Sequence, residues 1–445
     1  MQTANRVIKN TGILYAKMGI TMFISLYSTR LILNALGATD FGIFNIVGGA
    51  IAMLTFLNTA MAAATQRFMS FAEGAGDKNK QTKIFNISTI LHFSIALIIG
   101  VGLEIAGIFL FGGILNIPET RVFAAKMIYQ FMIVSTMLTI MTVPYDAVLN
   151  AHENMFYYAI TSIIESFLKL TAAIVIIHTL EDKLIIYGLL IACISSIVMI
   201  MKRIYCHSKY SECVFNPRKH FDKKLMTEMA TFGGWSFFGS TIGMLSNYGQ
   251  GIVINIFFGT IVNAAQGVAN QLSGQLGVFS GTMIKALNPA IVKSEGAGKR
   301  DNTLRATLAG SKMSYFLLSF FTIPFIIEMP FILKIWLKNP PEFAVIFCRL
   351  LLVKTMIEQL VATFPTAISA TGRIKQYQIC LSSLAIFPLI ISYILFSYDF
   401  PAPTIYIVFI IQVSIRTFVL IPYFAYKQCE LHYLSFLKGV VFRCF

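Results

Sequence analysis

The chain has 445 residues, 56% of them hydrophobic and 12% charged, with a mean hydropathy of +0.73. That balance excludes an ordinary water-soluble domain, in which charged residues make up about a quarter of the chain, and a length-based count of soluble domains does not apply. The formal net charge of +15 raises the question of a nucleic-acid partner. Such a partner needs base-stacking aromatics on a solvent-facing basic surface, whereas these cations fall in short breaks between apolar stretches, so no nucleic acid is expected.

Apolar stretches of about 20 residues are long enough to cross a bilayer. Twelve follow one another, at about 12–36, 41–66, 84–111, 121–146, 156–179, 184–204, 227–256, 260–288, 312–336, 343–368, 377–397 and 404–426. The expected fold class is therefore an all-α polytopic membrane protein. The first stretch is too long for the apolar region of a cleaved signal and carries Lys17, so it reads as a retained span. One set of breaks is basic: Arg6 and Lys9; Arg67, Lys78, Lys80 and Lys83; Lys202 through Lys224; Lys293 through Lys312; Arg373 and Lys375; and the tail with Lys427, Lys438 and Arg443. The alternate set offers little beyond Arg121, Lys183 and Lys338. By the positive-inside rule both termini are expected on the cytoplasmic side.

An internal repeat organises these spans. Glu73-Gly74-Ala75-Gly76 returns as Glu295-Gly296-Ala297-Gly298, an offset of 222. At nearly the same offset Gly37 meets Gly259, Lys78 and Lys83 meet Arg300 and Arg305, and Pro118-Glu119 and Pro144 meet Pro341-Glu342 and Pro365. Two copies of six spans keep the same orientation, and duplicated halves are a mark of transporters whose substrate site lies at the repeat interface. The expected division is an N-terminal lobe at 1–204, a basic inter-lobe linker at 205–226, a C-terminal lobe at 227–426 and a tail at 427–445.

Charges inside the spans are the candidate site residues, because each costs on the order of 3 kcal/mol at mid-bilayer unless partnered or wetted. The cations are Lys17, Arg30, Lys126, Lys169, Lys285, Arg349, Lys354 and Arg416; the acids are Glu104, Asp146, Glu165, Glu328 and Glu358. Lys17, Lys126 and Lys285 lie near span ends, where a long side chain can snorkel. Glu165 with Lys169, and Lys354 with Glu358, have the spacing of intrahelical ion pairs. Arg416 is central in the last span, one turn after Gln412, with no acid in its own helix, and is the sharpest candidate for a ligand contact.

Uncharged polar residues add a second signal. The eighth span carries Asn263, Gln266, Asn270, Ser273, Gly277 and Gly281 on one face, and the second span has Asn45, Gly48, Ala52, Thr55 and Thr59 in like positions. The seventh adds Asn247, Gln250 and Asn255. Small residues at this spacing serve close helix packing; amides on successive turns suit a hydroxyl-rich ligand. Pro144, Pro289, Pro324, Pro330, Pro365, Pro388 and Pro422 interrupt helical bonding and are kinks or flexing points.

Several chemistries have no support. There is no Walker A sequence for ATP, and no HExxH or GxSxG, so no enzyme activity and no cofactor are expected, and coupling to Na+ or H+ is left open. Cys206, His207, Cys213 and His220 cluster in the linker, but their spacing matches no zinc pattern.

The opening run Asn10-Thr11-Gly12 through Arg30 to Leu36-Gly37-Ala38-Thr39-Asp40-Phe41-Gly42, with the basic stretch after the second span and the duplicated halves, resembles the multidrug/oligosaccharidyl-lipid/polysaccharide (MOP) flippase superfamily. Within it the chain is similar to bacterial O-antigen and polysaccharide-unit flippases. The resemblance implies two six-helix lobes in a V around a central cavity that opens alternately to each side of the bacterial inner membrane. It implies a polyprenyl-pyrophosphate-linked oligosaccharide as substrate, with membrane lipids and glycan-assembly proteins as partners. The expected substrate contacts are Arg416, Arg30, Lys17, Arg349, Lys354, Asn270, Gln266 and Gln412: cations for the diphosphate, amides for sugar hydroxyls. The alternative is the cation-coupled multidrug-exporter branch. That branch needs buried carboxylates in the N-terminal half, for which Glu104 and Asp146 are the candidates.

Overall fold

The computed structural model describes residues 2–114 and 117–444; side chains at 2–5, 38, 50, 52–57, 113 and 114 lie outside the description, among them Ala38, Ala52 and Thr55. The described residues are helical, with short turns between helices, and form two compact units, 1–233 and 234–445.

In the first unit α1 runs Gln2–Ala75 and is broken at Gly37, where φ is 75° and ψ 172°. That backbone region is open essentially to glycine alone, because a Cβ would clash. One residue therefore turns a long apolar helix into two spans. The next helix, α2 (Lys78–Phe109), is capped by Asp77, whose side chain accepts from the Lys80 N–H at 2.9 Å, satisfying an otherwise orphan donor. It runs on as a π-helical turn through Ile114. The fourth span is α3 (Val122–Met141) and α4 (Val143–Ala151), with Pro144 in the first turn of α4, where its missing N–H is not needed. The fifth and sixth are α5 (Met155–His178) and α6 (Lys183–Lys209), capped by Asn154 and Asp182. Ile99, Leu103, Ile128, Tyr129, Ile133 and Ile176 fill the core. A short helix, α7 (Pro217–His220), lies in the linker.

The second unit repeats this order. The 74-residue α8 (Lys223–Gly296) matches the 74 residues of α1 and is broken at Gly259, with φ 75° and ψ −172°. It is followed by α9 (Arg300–Ile327), α10 (Met329–Leu337), α11 (Ala344–Gln359), α12 (Phe364–Ala370), α13 (Lys375–Ser397) and α14 (Thr404–Ile415). A π-helical turn, Arg416–Leu420, joins α14 to α15 (Ile421–Cys429). Gly76 and Gly298, which close the repeated tetrapeptides, have matching φ of 71° and 69°. Pro365 opens α12 as Pro144 opens α4. The break before α12 is re-satisfied by protein: the Thr363 N–H donates to Ser311 Oγ at 3.2 Å, and Thr363 Oγ1 donates to the Thr307 carbonyl at 2.6 Å.

Among the described residues nine helices are individually long and apolar enough to cross a membrane. Twelve spans are reached because α8 holds two, the second limb of α1 adds one, and the 16-residue α11 completes its crossing through α12. Phe23, Ile108 and Phe320 are 78%, 72% and 74% exposed, as expected of side chains whose solvent is hydrocarbon.

Candidate substrate-binding site

The site is built on the kink of α8. The turn at Gly259 brings the two limbs back beside each other. Asn247, Gly251 and Asn255 stand at four-residue spacing on the first, and Asn263, Gln266 and Asn270 at three and four on the second, so each set shares a face. The faces approach closely: a methyl group at Gly251 would stand 3.1 Å from Gln266 Oε1 and 3.5 Å from Asn263 Oδ1. These six residues, with Tyr248, line a cavity of about 490 Å³. Gln266 is buried at 3% exposure, a costly place for an amide unless it has a hydrogen-bonding task. The structure thus gathers Asn263, Gln266 and Asn270 with Asn247 and Asn255 into one wall of donors and acceptors.

The charged residues Lys354, Glu358 and Arg416 do not line this cavity; one side-chain contact connects them to the same helix. Ser273, three residues beyond Asn270, shares a 3.1 Å hydrogen bond with the Thr355 hydroxyl, and Thr355 follows Lys354 on α11. Lys354 Nζ is 3.3 Å from Glu358 Oε1, one turn on, and Arg416 Nη2 reaches the same oxygen at 3.0 Å from the last span. Two cations on one carboxylate leave a formal surplus of one positive charge. The Arg416 Nε is buried with no acceptor among the described residues. Arg416 also opens the π-helical turn, a distortion that concentrates at functional sites.

The other expected contacts are placed as follows. Gln412 is buried within α14. Arg349 donates to the carbonyls of Ile326 (2.9 Å) and Ile327 (3.2 Å) at the end of α9, a structural use of its fork. Lys17 and Arg30 belong to the first unit: Lys17 sits 5.1 Å from the Tyr158 ring centroid, and Arg30 is exposed on α1. Of the intrahelical pairs, Glu165 and Lys169 meet at 2.6 Å. In the eighth-span counterpart, Asn45 donates to the Phe41 carbonyl of its own helix at 2.9 Å.

Three polar clusters of the first unit join residues far apart in the chain. Lys202, assigned by sequence to a basic break, is 9% exposed and bonds Asp146 at 2.8 Å. Arg121 forks onto Asp40 and Asp182. Burial alone would raise the Asp182 carboxyl, but the Arg121 hydrogen bond and charge and two backbone amides hold it below its ordinary value. Of these three, only Arg121 stood out in the sequence, as one of the few cations in its set of breaks. Third, His152 stands between Glu212, to which its Nε2 bonds, and Glu73, whose Oε1 lies 3.3 Å from Nδ1. Burial alone would lower the imidazole; the two carboxylates outweigh it and raise its pKa to about 9.

A family model described as polysaccharide biosynthesis protein matches residues 7–295. The chain belongs to that family. No curated protein matches the chain. Among solved structures, a MATE transporter in the bent conformation is 14% identical, with a TM-score of 0.81 over 97% of this chain and 96% of that one. An outward-facing multidrug resistance MATE family transporter of the MOP superfamily is 12% identical, with a TM-score of 0.79 over 96% of each chain. A MOP superfamily transporter from Pyrococcus furiosus, described as having a binding pocket of reversed polarity, is 12% identical, with a TM-score of 0.76 over 96% of each chain. At these identities the common feature is the fold. This polysaccharide biosynthesis protein therefore has the MOP-superfamily architecture of two six-helix lobes, as its sequence pattern implied.

Proposed function

We propose that this chain is a flippase that moves a polyprenyl-pyrophosphate-linked oligosaccharide from the cytoplasmic to the outer leaflet by alternating access. The observation that carries the reading is the pairing, within the second unit, of an amide-lined cavity with a carboxylate that holds two cations. A glycan cannot cross hydrocarbon with its hydroxyls unsatisfied. Amides on both limbs of α8 offer each hydroxyl a donor and an acceptor. The diphosphate competes with Glu358 for Arg416 and Lys354, and an arginine fork matches phosphate oxygens in pairs. Gly251 keeps the cavity open, since a side chain there would press on Gln266.

The test is depletion of the protein in its native host, with surface glycan and lipid-linked intermediates both measured. The flippase reading expects surface glycan to fall while lipid-linked units accumulate on the cytoplasmic leaflet. A multidrug exporter is the second reading, favoured by the fold shared with a multidrug resistance MATE transporter. It is weakened by the Asp146–Lys202 pair, which occupies one of the two acids available to bind a coupling cation. Drug sensitivity on depletion with surface glycan unchanged would move the chain to that branch.

A further inference from the structure

The segment that joins α6 to α8 was expected to be a cytoplasmic linker, and its contacts set it at a particular depth. Three side chains of α2 hold the segment. Lys78 Nζ is 3.6 Å from a Glu212 carboxylate oxygen. Asn86, fully buried, donates from Nδ2 to the Val214 carbonyl at 2.8 Å and accepts the Asn216 N–H at 2.8 Å. Lys83 Nζ is 3.1 Å from Asp222. The segment is therefore fastened along the first turns of the third span, not merely looped past its end.

Asn86 is eight residues into α2, about 12 Å along the helix axis at 1.5 Å per residue. It also lies beyond Lys83, the last charged residue before Glu104, and among the apolar residues Ile84, Phe85 and Ile87. Its two hydrogen bonds fix the backbone on either side of Phe215 at that level. Yet Val214 and Phe215 are each 52% exposed, and Phe221 is 48% exposed. Exposed Arg218, Lys219, Lys223 and Lys224 surround them, while Asp222, the acid within residues 214–224, is held by Lys83. Apolar side chains held at the depth where a span turns apolar, ringed by cations, match the chemistry of a segment lying in the membrane interface. Clustered Lys and Arg at that level attract anionic lipid headgroups.

We infer that residues 214–224 form an interfacial anchor, with Phe215 and Phe221 seated among acyl chains and the four cations on the headgroups of anionic phospholipid. The anchor keeps the connection between the units in the membrane plane, against α2. It does not depend on which substrate the transporter carries.

The experiment places the photo-crosslinking residue p-benzoylphenylalanine, an aromatic replacement, singly at Phe215, Phe221 and, as control, Asn79, seven residues before Asn86 and exposed. Purified full-length protein is reconstituted in nanodiscs of phosphatidylcholine with or without phosphatidylglycerol, each lipid radiolabelled in turn, and adducts are counted per folded protein. The anchor expects adducts at 215 and 221 severalfold above those at 79. It also expects phosphatidylglycerol to be captured severalfold beyond its share of the bilayer. Substituting Arg218, Lys219, Lys223 and Lys224 together by Gln should bring capture down to that share. Adducts at 215 and 221 no greater than at 79 would overturn the anchor. Phosphatidylglycerol captured only in proportion, in the unsubstituted protein, would overturn its charge selectivity. Mobility on size exclusion in mild detergent identifies any variant lost to misfolding, and for such a variant Phe215→Trp with brominated-lipid quenching gives the same reading.

Discussion

Arg416 donates to Glu358 at 3.0 Å, linking the last span to the tenth across 58 positions of sequence, and Lys354 holds the same carboxylate oxygen at 3.3 Å. Removing one partner of a fully buried ion pair costs roughly 3–5 kcal/mol, mostly because the other charge is stranded. Here the carboxylate keeps Lys354, and the pair is 29% and 25% exposed, so Arg416→Ala is expected to fold. A charged hydrogen bond to a diphosphate is worth about 1.5–3 kcal/mol, so surface glycan should fall by about one to two orders of magnitude. Arg416→Lys should keep part of the activity, since charge remains without the fork, and Arg416→Glu should match or fall below Ala. Glycan display and the yield of folded protein in mild detergent are read together. Full display by a well-expressed Arg416→Ala would remove this residue from the site.

Gly37→Ala and Gly259→Ala should each destabilise by about 1–3 kcal/mol, the cost of a side chain in a backbone region reserved for glycine. Neither position has another atom within 4 Å of an added methyl, so the loss comes from the backbone and not from crowding. Gly234, helical and equally uncrowded, is the control. There alanine should be neutral or stabilising by up to about 1 kcal/mol. Melting midpoints in detergent decide, and equal midpoints for all three variants would contradict the role assigned to the turns.

How much of this could be read in the chain depends on whether the cause was local. The repeat, the span count and the amide stripe follow from spacing along the chain, and spacing is what a sequence displays. The Lys354–Glu358 and Glu165–Lys169 pairs were legible for the same reason. Arg416 was noticed because its own helix offers no acid. Glu358 could not be named as its partner, since which faces of two distant spans meet is set by packing. Lys202 shows the same limit from the other side: near a span end it reads as a topology signal, and only the fold brings Asp146 to it. Arg349 has no acid at helical spacing and so resembles a ligand contact, but backbone carbonyls, invisible in a sequence, satisfy it.

The repeated tetrapeptides give a test of orientation. Gly76 and Gly298 have positive φ, so cysteine there would strain the turn; Asn79 and Lys299 are exposed neighbours that avoid it. In a background with the native thiols made unreactive, Asn79→Cys and Lys299→Cys should resist an impermeant maleimide on intact cells and react after permeabilisation. Labelling of either from outside would reverse the orientation drawn from the basic breaks.

His152 gives a prediction in pH. Glu73 and Glu212 flank it, Lys78 lies 3.7 Å and 3.6 Å from the same two carboxylates, and Arg6 lies 3.7 Å from the adjacent Glu153. Its folded pKa is raised to about 9 from an unfolded value of about 6.5. A raised pKa means that the folded state binds the proton more tightly, so this stabilisation is complete below about 6.5 and is lost as pH rises through about 9. The side chain is 17% exposed, so little is lost to solvent screening, and the shift corresponds to about 3 kcal/mol. The melting midpoint in detergent should therefore fall between pH 7 and 10. Lysines titrate in the upper part of that range as well, so the comparison is with His152→Gln, which keeps an amide donor and has no proton to lose. The variant should start lower at pH 7 and decline less across the range. Parallel pH profiles for the two proteins would show that the imidazole is not protonated between its carboxylates.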